Sequence, residues 1–95
     1  MYTVKFTSKF KKDYKLYQKR GYDMDKIKKV ISLIASGTNQ DTLINEYKDH
    51  SLKGNWKGFR ECHILPDWLL VYEIVEDTLV LSLARTGSHS DLGLE

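Results

Sequence analysis

Apolar and polar residues alternate at the start of the chain, over residues 2–6 (YTVKF). A period of two is typical of a half-buried β-strand, so a strand is predicted here. Aromatic residues then recur at spacings of four and three, which predicts a helix that Ser8 caps and Gly21 ends. The aromatic stripe comprises Phe10, Tyr14 and Tyr17, and the side chains predicted to face water are Lys9, Lys11, Lys12, Lys15 and Lys19.

A stripe of aliphatic residues predicts a second helix, which begins at Asp23 or Asp25 and ends at Gly37. Aspartate suits the positive end of the helix dipole, and glycine accepts the conformation in which many helices end. The stripe consists of Ile27, Val30, Ile31 and Ile34. Residues 38–49 are mostly polar and are predicted to form a connection, with Leu43, Ile44 and Tyr47 as its anchoring side chains.

Three β-rich runs follow, separated by turn sequences. They are GFRECHI (58–64), WLLVYEIV (68–75) and TLVLSLART (78–86), with LPD (65–67) and ED (76–77) between them. Short connections indicate an antiparallel meander, and the first strand is expected to join the same sheet. The predicted fold class is α+β, with two N-terminal helices packed on one face of a small antiparallel β-sheet. The strand residues predicted to be core are Leu69, Val71, Leu79, Leu81 and Leu83.

The length and composition of the chain limit its organisation. Ninety-five residues with 41% hydrophobic content suffice for one hydrophobic core, so residues 1–95 are predicted to form a single domain. The one cysteine, Cys62, makes no internal disulfide and suits a reducing compartment. No segment approaches the roughly 20 apolar residues that span a bilayer. A cytoplasmic protein with no membrane partner is therefore expected.

Charge is distributed unevenly along the chain. Residues 1–29 carry ten Lys or Arg against three Asp, a net charge of +7, whereas residues 30–95 carry five against ten, a net charge of −5. A basic helical surface can bind a polyanion such as RNA or the ribosome, and also an acidic partner protein. The alternative is that the lysines are only the solvated faces of helices.

All three histidines, His50, His63 and His89, lie in the second half of the chain. In the run GFRECHI the strand period puts Glu61 and His63 on one face, together with Phe59. A carboxylate beside an imidazole can orient it or stabilise its charged form. The sequence therefore predicts Glu61 and His63 as neighbours in a candidate site.

The last strand offers two further candidates. Its alternation puts Arg85 in line with the leucines at 79, 81 and 83, at a strand end where a core-facing row reaches solvent. Gly87 is expected to permit a sharp turn that returns His89 over the sheet edge.

Cleavage of RNA without a metal needs a base for the 2′-hydroxyl, a cation for the developing phosphorane charge and an acid for the leaving 5′-oxygen. Histidine suits either proton-transfer role because its unperturbed pKa of about 6.5 lies near working pH. Each histidine taken singly is also consistent with an ordinary structural imidazole. A three-histidine zinc site is a further alternative, but no two histidines have close ligand spacing, so no metal or other cofactor is predicted.

A basic and aromatic patch surrounds Gly54 and Gly58. Its residues can grip phosphates and stack an unpaired base, and they are predicted to bind RNA. The alternative for the tryptophan is burial in the core. The patch consists of Lys53, Trp56, Lys57 and Arg60.

The string YKDHSLKGNWKGFRECHILPDWLLVYEI (47–74), followed by ARTGSHSDL (84–92), resembles the YafQ branch of the RelE superfamily of type II toxins. The resemblance implies a bacterial mRNA interferase that acts on message in the ribosomal A site. It also implies a cognate antitoxin that silences the toxin. The agreement is most specific over residues 47–67 and 85–92.

The resemblance also implies a set of site residues by position. The family pattern ends on a phenylalanine shortly after the last histidine, where this chain has Gly93. That departure bears on the efficiency or sequence preference of cleavage. The implied catalytic residues are His50, Glu61, His63, Asp67, Arg85 and His89.

The leading hypothesis is metal-independent attack of the 2′-oxygen, which gives a 2′,3′-cyclic phosphate and a free 5′-hydroxyl. His89 is the expected general acid, and either His50 or Asp67 is the base. The remaining residues orient the site or stabilise the phosphorane charge: His63 and Glu61 in the first role, Arg85 in the second.

Two rival functions stay open at this point. A binding-only relative would fold and bind antitoxin but cleave poorly because of Gly93. A gyrase-poisoning toxin of the same superfamily would share the fold, but that branch lacks this set of acid and base residues.

Overall fold

The structure of the chain is a computed structural model that describes residues 1–93. Residues 94–95, which the predicted single domain includes, lie outside this range. The elements in chain order are β1 (Thr3–Phe6), α1 (Ser8–Lys19), α2 (Met24–Ser36), α3 (Gln40–Tyr47), β2 (His50–Ser51), β3 (Arg60–Leu65), β4 (Trp68–Val75), β5 (Val80–Gly87) and α4 (His89–Leu92). Short 3₁₀ turns cover Gly54–Trp56 and Glu76–Thr78. Within residues 1–93, no helix is both long and apolar enough to cross a membrane.

The strands form one sheet in the order β1-β5-β4-β3-β2. The strands β3, β4 and β5 pair antiparallel, as the short connections predict. The two-residue strand β2, which the sequence does not predict, pairs antiparallel with β3. The first strand does join the sheet, but it pairs parallel with β5, with Phe6 opposite Leu83. The α+β class is confirmed, and the sheet is mostly rather than wholly antiparallel.

The first two helices occupy the predicted segments. Thr7, not Ser8, caps α1, since its side chain accepts a hydrogen bond from the Phe10 amide. Asp23 caps α2, and Gly37 ends it with a φ of 75°. The N-cap therefore falls one residue earlier in α1 than the sequence predicts.

The prediction that residues 38–49 form only a connection is wrong, because Gln40–Tyr47 forms helix α3. Leu43 is buried in the core and Tyr47 packs against the core one helical turn later. Lys48 ends the helix with a φ of 54°. Thus three helices, rather than two, precede the main run of strands.

The sheet is apolar on both faces. The main core lies between the first three helices and one face, and includes Phe10, Ile27, Leu70 and Leu83. Residues alternate along a strand, so the opposite face carries Leu69 and Val71, which pack against Leu92 of α4 and against partly buried Leu52, Trp56, Phe59 and Ala84. The predicted core rows are confirmed except at Leu79, which lies before β5 and is 54% exposed with a φ of 52°.

A β-bulge changes the alternation of β5. Tyr72 pairs with Leu83, but the neighbouring Val71 pairs with Arg85, so Ala84 is the extra residue. Directly paired residues share a face, which puts Arg85 on the face of Val71. The predicted alignment of Arg85 with Leu81 and Leu83 is therefore wrong: the bulge turns Arg85 to the opposite side of the sheet.

Candidate active site

Strand pairing brings the first two histidines to one carboxylate. His50 on β2 lies directly opposite Glu61 on β3. His63 follows Glu61 by two residues and so lies on the same face. The Glu61 side chain is 5% exposed, so it forms the floor of the cluster beneath two more accessible imidazoles.

Hydrogen bonds define which ring nitrogens carry protons. Nδ1 of His50 lies 2.8 Å from the Lys48 carbonyl, and Nδ1 of His63 lies 3.3 Å from the Pro66 carbonyl. A carbonyl oxygen only accepts, so both Nδ1 atoms are donors and both Nε2 atoms face inward. Nε2 of His63 is 3.2 Å from Glu61 Oε1 and Nε2 of His50 is 3.6 Å from the same atom.

A second carboxylate and imidazole pair lies at the tip of the β3–β4 hairpin. Asp67 occupies the two-residue turn there, and its Oδ1 accepts hydrogen bonds from Nδ1 of His89 at 2.7 Å and from the His89 amide at 3.1 Å. These hydrogen bonds hold the pKa of Asp67 below its ordinary value. Since His89 uses Nδ1 for Asp67, its Nε2 is free for another partner.

The last strand carries His89 to this end of the sheet. Gly87 pairs with Leu69, one residue beyond the start of β4, and Ser88 then caps α4, whose first residue is His89. Gly87 does not have the positive φ that the predicted sharp turn requires. Its smallness serves close packing instead, because a Cβ there would lie 3.2 Å from Leu92.

Five of the six predicted catalytic residues form a continuous cluster. The ring centroids of His50 and His63 are 6.2 Å apart, and those of His63 and His89 are 5.6 Å apart. With Glu61 and Asp67, these imidazoles form a row along one sheet end, in the order His50, Glu61, His63, His89 and Asp67. We call this row the histidine cluster.

Arg85, the sixth residue, lies on the same sheet face, since Glu61, Val71 and Arg85 pair across three strands. Its guanidinium is held by Asp13 of α1, with Nε 2.7 Å from Oδ2 and Nη2 3.2 Å from Oδ1. The hydrogen bonds that Arg85 donates to Asp13 raise the pKa of Arg85 above its ordinary value. Arg85 therefore stays charged, and its guanidinium is held in one orientation.

The predicted RNA-binding residues do not form one surface. Lys53 and Lys57 are exposed in the connection between β2 and β3, and Trp56 lies half-buried with its ring edge-on to Phe59 at 5.4 Å. Arg60 faces the other way: it pairs with Tyr72 of the main core, and its Nε lies 2.6 Å from Asp49. RNA binding by these residues stays a prediction.

Several polar contacts behind the cluster were not expected from the sequence. Buried Asp49 accepts hydrogen bonds from Arg60 and from the Tyr72 hydroxyl, and it directly precedes His50. Asp13 and Tyr17 of α1 contact the segment that carries Arg85 and His89. One available signal was that Asp13 is the sole acidic residue in a helix with five lysines.

The donor atoms of His50, Glu61 and His63 lie within 4.8 Å of one another, close enough to hold one metal ion. Imidazole and carboxylate donors suit zinc and other transition metals. This set differs from the three-histidine site considered from the sequence, because a carboxylate takes the place of His89.

Comparison with known protein families gives a match that covers nearly the whole chain. Residues 2–93 match the sequence profile of a family described as a bacterial toxin of a type II toxin-antitoxin system, YafQ. The chain belongs to the YafQ toxin family. The mRNA interferase toxin YafQ of Escherichia coli K12 is 39% identical over 89 residues, covering 94% of this chain and 92% of that protein.

Two solved toxin structures are similar to this chain over almost their whole length. A metal-bound toxin from Helicobacter pylori has a TM-score of 0.87 and 46% identity, covering 97% of this chain and 99% of the other. YafQ in the E. coli DinJ–YafQ complex has a TM-score of 0.81 and 38% identity, covering 97% and 98%. Gly93, where the resemblance implies phenylalanine, ends α4 with a φ of 69°, and among the described residues a Cβ there would meet nothing within 4 Å.

Proposed function

We propose that this protein is the toxin of a type II toxin-antitoxin pair and that it is an endoribonuclease, an mRNA interferase. The observation that carries the proposal is the histidine cluster: three imidazoles and two carboxylates in direct succession at one end of the sheet. Membership of the YafQ family, in which an E. coli member is named an mRNA interferase toxin, supports the same activity.

His89 is the general acid in this proposal. Asp67 binds Nδ1 of His89 and so leaves Nε2 as the atom that delivers a proton to the leaving 5′-oxygen. The carboxylate also stabilises the charged imidazolium from which that proton comes. Asp67 thus serves to orient its partner, and the lowered pKa of its own carboxyl group makes it a weak base.

His50 is the general base. Its Nδ1 donates to Lys48, so in the neutral ring the lone pair lies on Nε2, which can accept the 2′-hydroxyl proton. Glu61, 3.6 Å from that nitrogen, stabilises the positive charge that then develops. His63 and Glu61 lie between His50 and His89 and fix the position of the proposed base relative to the proposed acid.

Arg85 provides the cation for the phosphorane charge. Asp13 uses Nε and Nη2 of the guanidinium, and within residues 1–93 the remaining Nη1 makes no hydrogen bond. A fixed guanidinium with free N–H groups suits a phosphate oxygen.

The proposed chemistry uses the 2′-oxygen of RNA as nucleophile and routes no step through a metal. An ion bound by His50, Glu61 and His63 would occupy the nitrogen that the general base needs. The proposed products are a 2′,3′-cyclic phosphate and a 5′-hydroxyl.

The proposed setting is the cytoplasm, with mRNA in the ribosomal A site as substrate and a cognate antitoxin as partner. The net charge of +7 on residues 1–29 supports binding to ribosomal RNA. The complex of E. coli YafQ with DinJ supports an antitoxin partner. Residues 1–95 act as one domain in this proposal.

The test compares cells that express wild type, His89→Ala and Ser90→Ala, with primer extension on translated transcripts. Ser90 is exposed on α4 beside His89 and serves as the matched control. We expect new 5′ ends with wild type and Ser90→Ala, and at least about a 100-fold loss of cleavage in His89→Ala. Absence of cleavage by wild type, with antitoxin binding intact, would replace this proposal with the binding-only function.

A further inference from the structure

One stripe of α1 contacts the segment that carries two of the proposed active-site residues. Asp13, Tyr17 and Arg20 are spaced by four and three residues, so they lie on one face of the helix. We propose that this stripe positions the active site: Asp13 orients the Arg85 guanidinium, and Tyr17 fixes the helix start on which His89 lies. The inference rests on the proposed ribonuclease function and adds positioning residues to it.

Asp13 binds the edge of β5 at a point that β1 does not reach. Pairing of β1 with β5 ends at Phe6 and Leu83, and within residues 1–93 no other strand pairs with this edge of β5 beyond that point. Asp13 Oδ2 accepts a hydrogen bond from the Thr86 amide at 3.1 Å while it also binds Arg85. One carboxylate therefore fixes both the backbone and the side chain of the strand end.

The geometry of this pair aims Arg85. Asp13 contacts the guanidinium through two nitrogens, and such two-point contact fixes the plane of the group as well as its position. The Asp13 side chain is 14% exposed, so water screens the pair weakly. The bulge at Ala84 already turns Arg85 to the face of the cluster, and Asp13 sets where its free edge points.

Tyr17 acts on the next turn of the same segment. Its hydroxyl accepts a hydrogen bond from the Ser88 amide at 2.8 Å and donates one to Asp91 at 2.6 Å. Ser88 caps α4, and His89 is the first residue of that helix. Tyr17 is itself immobilised, since it is 1% exposed and its ring stacks on Trp68.

Together, the contacts of Asp13 and Tyr17 fix the position of His89, the proposed acid, relative to Arg85, the proposed cation. Arg20 extends the stripe by binding Asp91 at 3.3 Å. A displacement of about 1 Å in such a site is enough to lower a rate about 100-fold. Loss of Asp13 or Tyr17 is therefore expected to lower kcat and leave KM for the programmed ribosome nearly unchanged.

The first experiment is a double-mutant cycle on the full chain, with cleavage of ribosome-bound mRNA as the readout. Asp13→Asn and Asp13→Ala are compared with Asp25→Asn, an exposed aspartate on α2 with the same charge change. We expect the Asp13 variants to lose about 10- to 100-fold in kcat with KM within about twofold, and Asp25→Asn to match wild type. Adding Asp13→Ala to Arg85→Ala is expected to cause a smaller further loss than Asp13→Ala causes alone, because only the hydrogen bond to the Thr86 amide is then left to remove.

An additive loss in the double variant, or wild-type kcat in a folded Asp13→Ala protein, overturns the role of Asp13. The second comparison is between Tyr17→Phe and Tyr14→Phe. The control makes the same chemical change, loss of a phenolic hydroxyl, at a neighbouring half-buried tyrosine. Wild-type kcat in folded Tyr17→Phe overturns the role of Tyr17. Unchanged cleavage in both Arg85→Ala and His89→Ala instead contradicts the proposed function itself, and the inference fails with it.

Discussion

Asp67 and His89 show how a single contact sets the chemistry of two residues. The Asp67 carboxylate accepts hydrogen bonds from both the ring and the amide of His89. These hydrogen bonds favour the charged form of Asp67 and lower its pKa. The same contact engages Nδ1 of the imidazole and so leaves Nε2 as the nitrogen available to substrate. Residue identity alone could not reveal this, because the two positions are 22 residues apart in the chain.

The lowered pKa of Asp67 gives a direct test of that contact. In His89→Ala the side-chain hydrogen bond is lost, so we expect the pKa of Asp67 to rise toward its ordinary value. Carbon-13 NMR titration of the carboxyl group measures this. Identical titration of Asp67 in wild type and His89→Ala would show that the hydrogen bond is absent in solution.

The histidine cluster should also respond to transition metals. Zinc or copper bound by His50, Glu61 and His63 occupies the proposed base, so we expect added ion to inhibit cleavage and a chelator of that ion to restore it. His50→Gln, which removes one ligand, provides the comparison for metal affinity by calorimetry. Stimulation of wild-type cleavage by the same ions would contradict the assignment of His50 as a free base.

At the scale of elements, α1 joins the helical layer to the site through Tyr17. Its hydroxyl connects Ser88 and Asp91 in the part of the chain where β5 passes into α4. Removing it leaves a partly buried amide without its acceptor, and such a loss typically costs about 1–3 kcal/mol. We expect urea unfolding to show a loss in that range for Tyr17→Phe and a smaller one for Tyr14→Phe. Equal losses would show that the hydroxyl of Tyr17 has no special role.

Acid stability tests the same connection. The hydrogen bond from Tyr17 is the main cause that lowers the pKa of Asp91, with Arg20 as a further contributor. The resulting stabilisation is fully present above the ordinary pKa of an aspartate, about 3.9, and is lost as the pH falls through the lowered value. We therefore expect Tyr17→Phe to lose less stability than wild type as the pH falls below about 4. A parallel pH dependence of the two proteins would contradict this linkage.

Much of the element pattern could be predicted from local periodicity, and the failures have physical causes. The aliphatic and aromatic stripes of α1 and α2 are long enough to identify each helix. By contrast, α3 has eight residues and one buried side chain, Leu43, so packing against the core rather than its own pattern stabilises it.

The candidate site was predictable in composition but not in geometry. Alternation within β3 correctly placed Glu61 beside His63. It failed for β5, because a bulge at Ala84 reverses the face of Arg85 and alternation cannot reveal an inserted residue. Arg60, expected on the RNA-binding surface, instead binds Asp49 on the helix side of the sheet.

At the scale of the whole molecule, charge and chemistry are separated along the chain. The basic N-terminal helices carry five exposed lysines in α1 alone, whereas the histidine cluster belongs to the strands and α4. Binding to ribosomal RNA and cleavage should therefore respond to different substitutions. Asp13 is the exception, since it lies in the basic helix but contacts the site.

The salt dependence of ribosome binding tests the role of the α1 lysines. We expect Lys11→Gln, Lys12→Gln and Lys15→Gln together to raise KM for programmed ribosomes and leave kcat unchanged. The slope of log affinity against log salt should fall by up to about one for each lysine that contacts a phosphate. A triple variant with wild-type KM and salt slope would remove these lysines from the ribosome contact.

In the proposed mechanism, the 2′-oxygen of RNA is the nucleophile and the histidine cluster moves the protons. The most direct measurement is cleavage of ribosome-bound mRNA with a single 2′-deoxy nucleotide on the 5′ side of the scissile phosphate. We expect the substituted message to resist cleavage, while the all-ribose message gives a 2′,3′-cyclic phosphate. Cleavage of the substituted message at the same bond would mean that water is the nucleophile, which would contradict the account.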